Sequence, residues 1–242
     1  MKFYARTDTG RVRPINEDSF YLPAAGEKFC AVADGMGGHN AGEVASALAI
    51  EVFSKHMRDH KGRAMPETLR TAVERANSAV FRASRRDESK SGMGTTFSAL
   101  ATQEGGAYIA HVGDSRVYLI RRGAIMQLTL DHTLVEEMVL KGLITLREAR
   151  VHPKRNIITR ALGTEATVDI DLLQIELHRG DVFFLCSDGL SNCVQDREIL
   201  QVVQGEGDWN DKLRQLVGIA LENGGPDNIT AMFAIAEEAA GR

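Results

Sequence analysis

Phe29-Cys30-Ala31-Val32-Ala33-Asp34-Gly35-Met36-Gly37-Gly38-His39 is the stretch on which the rest of the chain turns. Its first five residues are apolar, a run whose length and composition predict a buried strand. The strand is expected to stop at Asp34, and an unpaired buried carboxylate is costly, so the acid needs a reason to be there. The glycines allow a tight turn and leave carbonyls open. Asp34 and the Gly35 carbonyl are oxygen donors suited to a hard cation, and His39 titrates near neutrality. The same residues also fit a glycine-rich turn in which Asp34 is only a cap. The stretch alone leaves both readings open.

Working outward, residues 2–9 and 19–22 read as strands. Ala41 to about Arg58 reads as a helix, with Val44, Leu48 and Val52 every four residues and Ala45, Ala49 and Phe53 beside them. Asn40 and Glu43 form a candidate cap. A second helix over 66–86 begins on Pro66. Gln103-Glu104-Gly105-Gly106 and Arg121-Arg122-Gly123 each divide two apolar runs, predicting two hairpins. Residues 132–160 read as a small lobe of two short helices, with capping boxes at Thr133/Glu136 and Thr145/Glu148 and a stop at Lys141-Gly142. Strands follow at 169–175 and 181–187, helices near 196–204 and 209–222, and a last strand from Ile229 to Ala236. Hairpins with helices segregated in sequence favour an α+β layered architecture over a Rossmann-type parallel sheet.

The chain has 242 residues, 43% of them hydrophobic, and a net charge of −4. This composition predicts one domain over 1–242 with a substantial core. The acidic balance argues against a nucleic-acid or membrane-surface partner. No apolar run reaches membrane-spanning length, and the N-terminus lacks the apolar centre of a signal peptide. Three unpaired cysteines, Cys30, Cys186 and Cys193, point to reduced thiols and a cytoplasmic location. Cys30 and Cys186 are expected as core filler, His111 as a strand residue, and His56, His60 and His178 as surface residues.

Further carboxylates stand where strands give way to turns: Glu17-Asp18, Asp114, Asp188 and Asp227. Each alone reads as a turn former, but strand ends can converge on one edge, and an oxygen-only donor set selects Mg²⁺ or Mn²⁺. Zinc is disfavoured, because there is no His-Glu-x-x-His and no cysteine pair at ligand spacing. Carboxylates around two hard cations suit displacement at phosphorus, where the metals neutralise phosphoryl oxygens and acidify water. Monoester hydrolysis is so slow unaided that accelerations up to ~10²¹ are needed. His39 fits the acid for the leaving alkoxide, and Arg13 or Arg11 the phosphate clamp. A thiol phosphatase needs Arg six positions after Cys, but positions 36, 192 and 199 are Met, Asn and Ile. There is no Gly-Lys for a P-loop and no kinase motif.

Val12-Arg13-x-x-Asn16-Glu17-Asp18, Asp34-Gly35-Met36-Gly37-Gly38-His39, Gly94-Thr95-Thr96, Gly113-Asp114-Ser115-Arg116, Ser187-Asp188-Gly189 and Asp227-Asn228 occur in this order. Together they resemble the motifs of the metal-dependent PPM (PP2C-type) serine/threonine protein phosphatases, most closely the compact bacterial catalytic domain. The resemblance implies a four-layer α-β-β-α sandwich, two antiparallel sheets flanked by helices, with the metals at one end. It implies that Asp34 bridges two Mn²⁺ or Mg²⁺ ions. Asp188 and Asp227 would complete the first and Glu17 and the Gly35 carbonyl the second. Asp114 with Asp188 would hold a possible third ion. Asp18 and Asn228 would stand behind the ligands, Arg13 would bind substrate phosphate, and His39 would be the general acid. The lobe at 132–160 matches the family's flap, and its Arg147, Arg150 and Arg155 are candidates for substrate selection. Implied partners are phosphorylated proteins and an opposing Hanks-type kinase, with the enzyme a monomer. Two other readings share parts of this pattern. One is a catalytically silent binding module, disfavoured by the intact acidic set. The other is a metal-dependent nuclease, disfavoured by the net charge.

Overall fold

The computed structural model describes residues 1–37 and 41–237. Two antiparallel sheets stack face to face. The first has the order β1 (Lys2–Asp8), β11 (Ile229–Ile235), β10 (Val182–Cys186), β7 (Arg116–Arg121) and β8 (Ala124–Gln127). The second has the order β2 (Asp18–Tyr21), β3 (Phe29–Met36), β5 (Phe97–Gln103), β6 (Gly106–Val112) and β9 (Asp171–Glu176), with the short β4 (Gly94–Thr95) also paired to β3. Helices α1 (Gly42–Asp59) and α2 (Met65–Arg86) cover the second sheet. Helices α6 (Asp196–Gln204) and α7 (Trp209–Glu222) cover the first. This is the four-layer arrangement expected above.

Strand alternation builds the layers. In β3, Phe29, Ala31 and Ala33 pack under α1 and α2, while Cys30 and Val32 point into the space between sheets. In β10, Phe183 and Leu185 enter that same space, while Val182, Phe184 and Cys186 meet α6 and α7. Both faces of these strands are buried, which is why they read as unbroken apolar runs. Cys30 and Cys186 are core residues, as expected, and His111 lies buried in β6.

Several boundaries differ from the sequence reading. β3 does not stop at Asp34 but runs to Met36, because Gly35 and Met36 pair with Thr95 and Gly94 of β4. The fully buried stripe of α1 is Ala45, Ala49 and Phe53, with Val44 and Leu48 packed at its side. The small residues let the helix sit close to the sheet. His56 is buried rather than a surface residue: its ring stacks on His60 with centroids 3.9 Å apart. The proposed cap involves Asn40, outside the described residues; Ala41 holds the N-cap position without a side-chain hydrogen bond. The flap contains α3 (Leu134–Leu140) and α4 (Leu146–Val151). Thr145 and Glu148 form the full reciprocal cap, whereas Thr133 caps α3 through Glu136 N. A one-turn helix, α5 (Asp188–Ser191), was not foreseen.

Candidate metal centre

The acidic residues lie where one end of the two sheets meets. β2 and β3 pair so that Asp18 is directly opposite Asp34. From the other sheet, Asp188 opens α5 just past β10, and Asp227 lies two residues before β11. Asp114 lies in the turn from β6 to β7, which crosses from one sheet to the other. Hydrogen bonds tie the two sides together. Ser187 Oγ donates to Asp18 Oδ2 at 2.7 Å. The Glu17 amide donates to Asn228 Oδ1 at 2.8 Å, and Asn228 Nδ2 donates to the carbonyls of Thr9 and Ile15. Asn228 therefore fixes the segment that delivers Glu17 and Arg13.

The electrostatics of this cluster are unfavourable without a counter-charge. Burial, then Asp18, Asp188, Asp114 and Asp227, holds the Asp34 carboxyl well above the ordinary carboxylate range. Burial pushes Asp18 up to about 7 despite its Thr230 and Ser187 hydrogen bonds. Burial and the Asp188 charge push Asp114 up to about 8. Asp188 and Glu17 are also raised, chiefly by burial, with Asp227 and Glu43 the respective leading charges. Asp18 Oδ1 and Asp114 Oδ1 are buried with no hydrogen-bond partner. Orphaned carboxylate oxygens, surrounded by like charges and carrying only oxygen donors, fit Mn²⁺ or Mg²⁺. Among the described residues, no three His, Cys, Asp or Glu side chains already converge tightly enough to grip one ion.

Arg13 Nη2 donates to Asp227 Oδ2 at 2.8 Å, and the side chain remains half exposed. Arg11 turns away, its Nε donating to the Leu221 carbonyl. The structure thus gives different partners to the two arginines, which residue pattern alone left as alternatives and the motif resemblance resolved to Arg13. Glu17 presses against the start of α1: a Cβ on Gly42 would lie 2.6 Å from Glu17 Oε1. Glu43, read from sequence only as a cap, lies beside Glu17 with Oε2 buried and unbonded. His39 lies outside the described residues. Of the sequence-selected residues, Asp18, Asp34, Asp114, Asp188 and Asp227 come together, with Glu17, Gly35, Arg13 and Asn228 around them. Sequence reading gave no role to Ser187, Thr96 or Ser115, although all three lie inside the quoted motifs.

Fold and site together define a class: a four-layer sandwich that gathers carboxylates from both sheets at one end. The family model described as "Protein phosphatase 2C" matches residues 11–234, and the chain belongs to that family. It is 42% identical over 234 residues to the serine/threonine protein phosphatase PstP of Mycobacterium tuberculosis, covering 97% of this chain and 45% of that protein. The chain thus spans about half the length of that relative. It is 36% identical to the serine/threonine phosphatase stp of Listeria monocytogenes, covering 94% of this chain and 93% of the relative. The crystal structure of the PstP catalytic domain in complex with two manganese ions superposes with a TM-score of 0.89 at 39% identity, covering 98% of each chain.

Proposed function

We propose that this chain is a protein serine/threonine phosphatase that hydrolyses phosphoserine and phosphothreonine with two Mn²⁺ or Mg²⁺ ions, and a possible third. The observation that carries this is the buried carboxylate cluster drawn from both sheets, with two orphaned oxygens and with carboxyls pushed toward the protonated form when no counter-charge is present. Asp34, Asp188 and Asp227 would hold one ion. Asp34, Glu17 and the Gly35 carbonyl would hold the second, and Asp114 with Asp188 the third. Bound there, the ions supply Lewis acidity, neutralising phosphoryl oxygens and lowering the pKa of water toward about 7.

The chain's own residues do the rest. Arg13 exchanges its Asp227 partner for the substrate phosphate, presenting two parallel N–H donors. Its guanidinium already sits beside the cluster, so only a side-chain rotation is needed. Asp18 and Asn228 keep Asp34 and Glu17 in register across the sheets. His39 is assigned, from its place in the motif, as the acid that gives a proton to the departing serine or threonine oxygen. The flap over residues 132–160 selects protein substrates through Arg147, Arg150 and Arg155.

The same reading takes 1–242 as one catalytic domain, acting as a monomer in the cytoplasm on proteins phosphorylated by a Hanks-type kinase. Among the described residues, no helix is long and apolar enough to cross a membrane. The test is phosphate release from a phosphothreonine peptide with Mn²⁺, before and after EDTA. Turnover should vanish with EDTA and with Asp34→Asn while the folded state persists. Full activity in EDTA refutes the proposal.

A further inference from the structure

Asp34 lies in strand β3 and Asp114 in the turn from β6 to β7, yet one buried side chain touches the frame of both. The Asp34 amide donates to Thr96 Oγ1 at 2.9 Å. The Asp34 carbonyl accepts from Thr95 Oγ1 and from the Thr96 amide, each at 2.9 Å. Thr96 Oγ1 is also 2.7 Å from Ser115 Oγ, the residue after Asp114. Thr96 and Ser115 are buried, so no water competes for these bonds. The turn is pressed onto Thr96 from the other side as well. Gly113 has φ +107, and a Cβ there would lie 2.6 Å from Thr96 Cβ. Its amide donates to His132 Nδ1, and its carbonyl accepts from the His132 amide. The 113–115 turn is therefore clamped between Thr96 and His132, with Asp114 Oδ1 left unpartnered.

We propose that Thr96 is a positioning residue that locks Asp34 to the Asp114 turn, so that the carboxylates on either side take up divalent cations as one unit. The inference rests on reading the carboxylate end as a cation site. The physical reason is that ligand oxygens must be held to a few tenths of an ångström for ion binding. A hydroxyl bonded to both frames removes the freedom of one relative to the other. A threonine that merely satisfied its own hydroxyl in the core would leave cation affinity unchanged when replaced by valine, which has nearly the same shape.

The test is calorimetric titration of Mn²⁺ into EDTA-stripped protein, comparing the wild type with Thr96→Val, Thr96→Ser and Ser115→Ala, each checked for a cooperative melt. Thr96→Val should bind Mn²⁺ about 10- to 100-fold more weakly, the usual scale for residues that orient metal ligands. Thr96→Ser, which keeps the hydroxyl, should restore most of that affinity. With phosphopeptide, the Mn²⁺ concentration for half-activation should rise in Thr96→Val, while kcat at saturating Mn²⁺ recovers. Wild-type Mn²⁺ affinity in a folded Thr96→Val protein overturns the inference, as does a Thr96→Ser protein equally impaired. If Thr96→Val does not fold, Ser115→Ala decides: it should weaken the weakest Mn²⁺ event alone, and an unchanged event overturns the link. If the wild type itself binds no Mn²⁺, the cation-site reading has failed and the inference falls with it.

Discussion

Replacing Asp114 with Asn should stabilise the metal-free protein, even though it removes a proposed ligand. The Asp114 carboxyl is buried, has one oxygen without a partner, and is pushed from 3.8 up to about 8, first by burial and then by Asp188. A folded-state pKa above the unfolded value means that the folded state binds the proton more tightly. The stabilising effect of protonation is then complete below pH 3.8 and is lost as pH rises toward about 8. At about 1.4 kcal/mol per unit, the full shift sets an upper bound of roughly 6 kcal/mol on the cost of keeping Asp114 ionised. Relaxation of the turn reduces this, leaving an expected gain of ~2 kcal/mol or more at pH 8. For a chain of this size that corresponds to a rise of roughly 4–8 °C in Tm. The assay is thermal melting in EDTA at pH 8 and pH 5, repeated at pH 8 with saturating Mn²⁺. The gain should be largest at pH 8, shrink at pH 5, and reverse with Mn²⁺, because the wild type is then stabilised by ligand binding. No gain in EDTA, or the same gain under all three conditions, refutes the reasoning.

Burial lowers His111 to about 4, with its ring held between Ser98 and the Leu130 carbonyl. The unfolded state binds the proton more readily, so stability should fall by roughly 3 kcal/mol between pH 6.5 and pH 4; His111→Gln should flatten that slope in urea titrations. Gly42→Ala would place a methyl 2.6 Å from Glu17 Oε1 and 2.9 Å from the Gly35 carbonyl carbon, displacing the carboxylate and pressing on the backbone of β3. Calorimetry should show Mn²⁺ affinity down about 10-fold or more, with a cooperative melt moved to lower temperature. Arg13→Ala should lower kcat/KM on phosphopeptide by about 10- to 100-fold, through loss of a charge-assisted phosphate contact. Changing Arg147, Arg150 or Arg155 should impair turnover of a phosphoprotein more than of an aryl phosphate; equal effects on both would remove the flap from substrate selection.

Much of this architecture was legible because periodicity and burial coincide. Helices α6 and α7 occupy the residues expected, since both have a clear apolar stripe and defined ends. Both hairpins form where glycine-containing turns divide apolar runs. What failed depended on tertiary neighbours. β3 outruns its apolar run because β4 offers it backbone partners, a pairing no local pattern announces. His56 is buried because α2 packs against α1, so a polar residue on the predicted outer face lost its solvent. At the site, the acids were legible from their recurrence at strand ends. Residue pattern alone left Arg13 and Arg11 open and only the motif resemblance singled out Arg13, because the contacts that distinguish them, to Asp227 and Leu221, lie over 200 positions away.

Because Asp34 lies in one sheet while Asp188 and Asp227 flank strands of the other, the spacing between sheets would act as a gauge for an ion held by all three. That spacing is set by Cys30, Val32, Phe183, Leu185 and Met232, none of which is a proposed ligand. Mg²⁺ tolerates little departure from its short, octahedral bonds. A methyl group added or deleted deep in the apolar filling would therefore tilt the preference between magnesium and the larger manganese. The choice of ion would then be partly a property of the protein's grease.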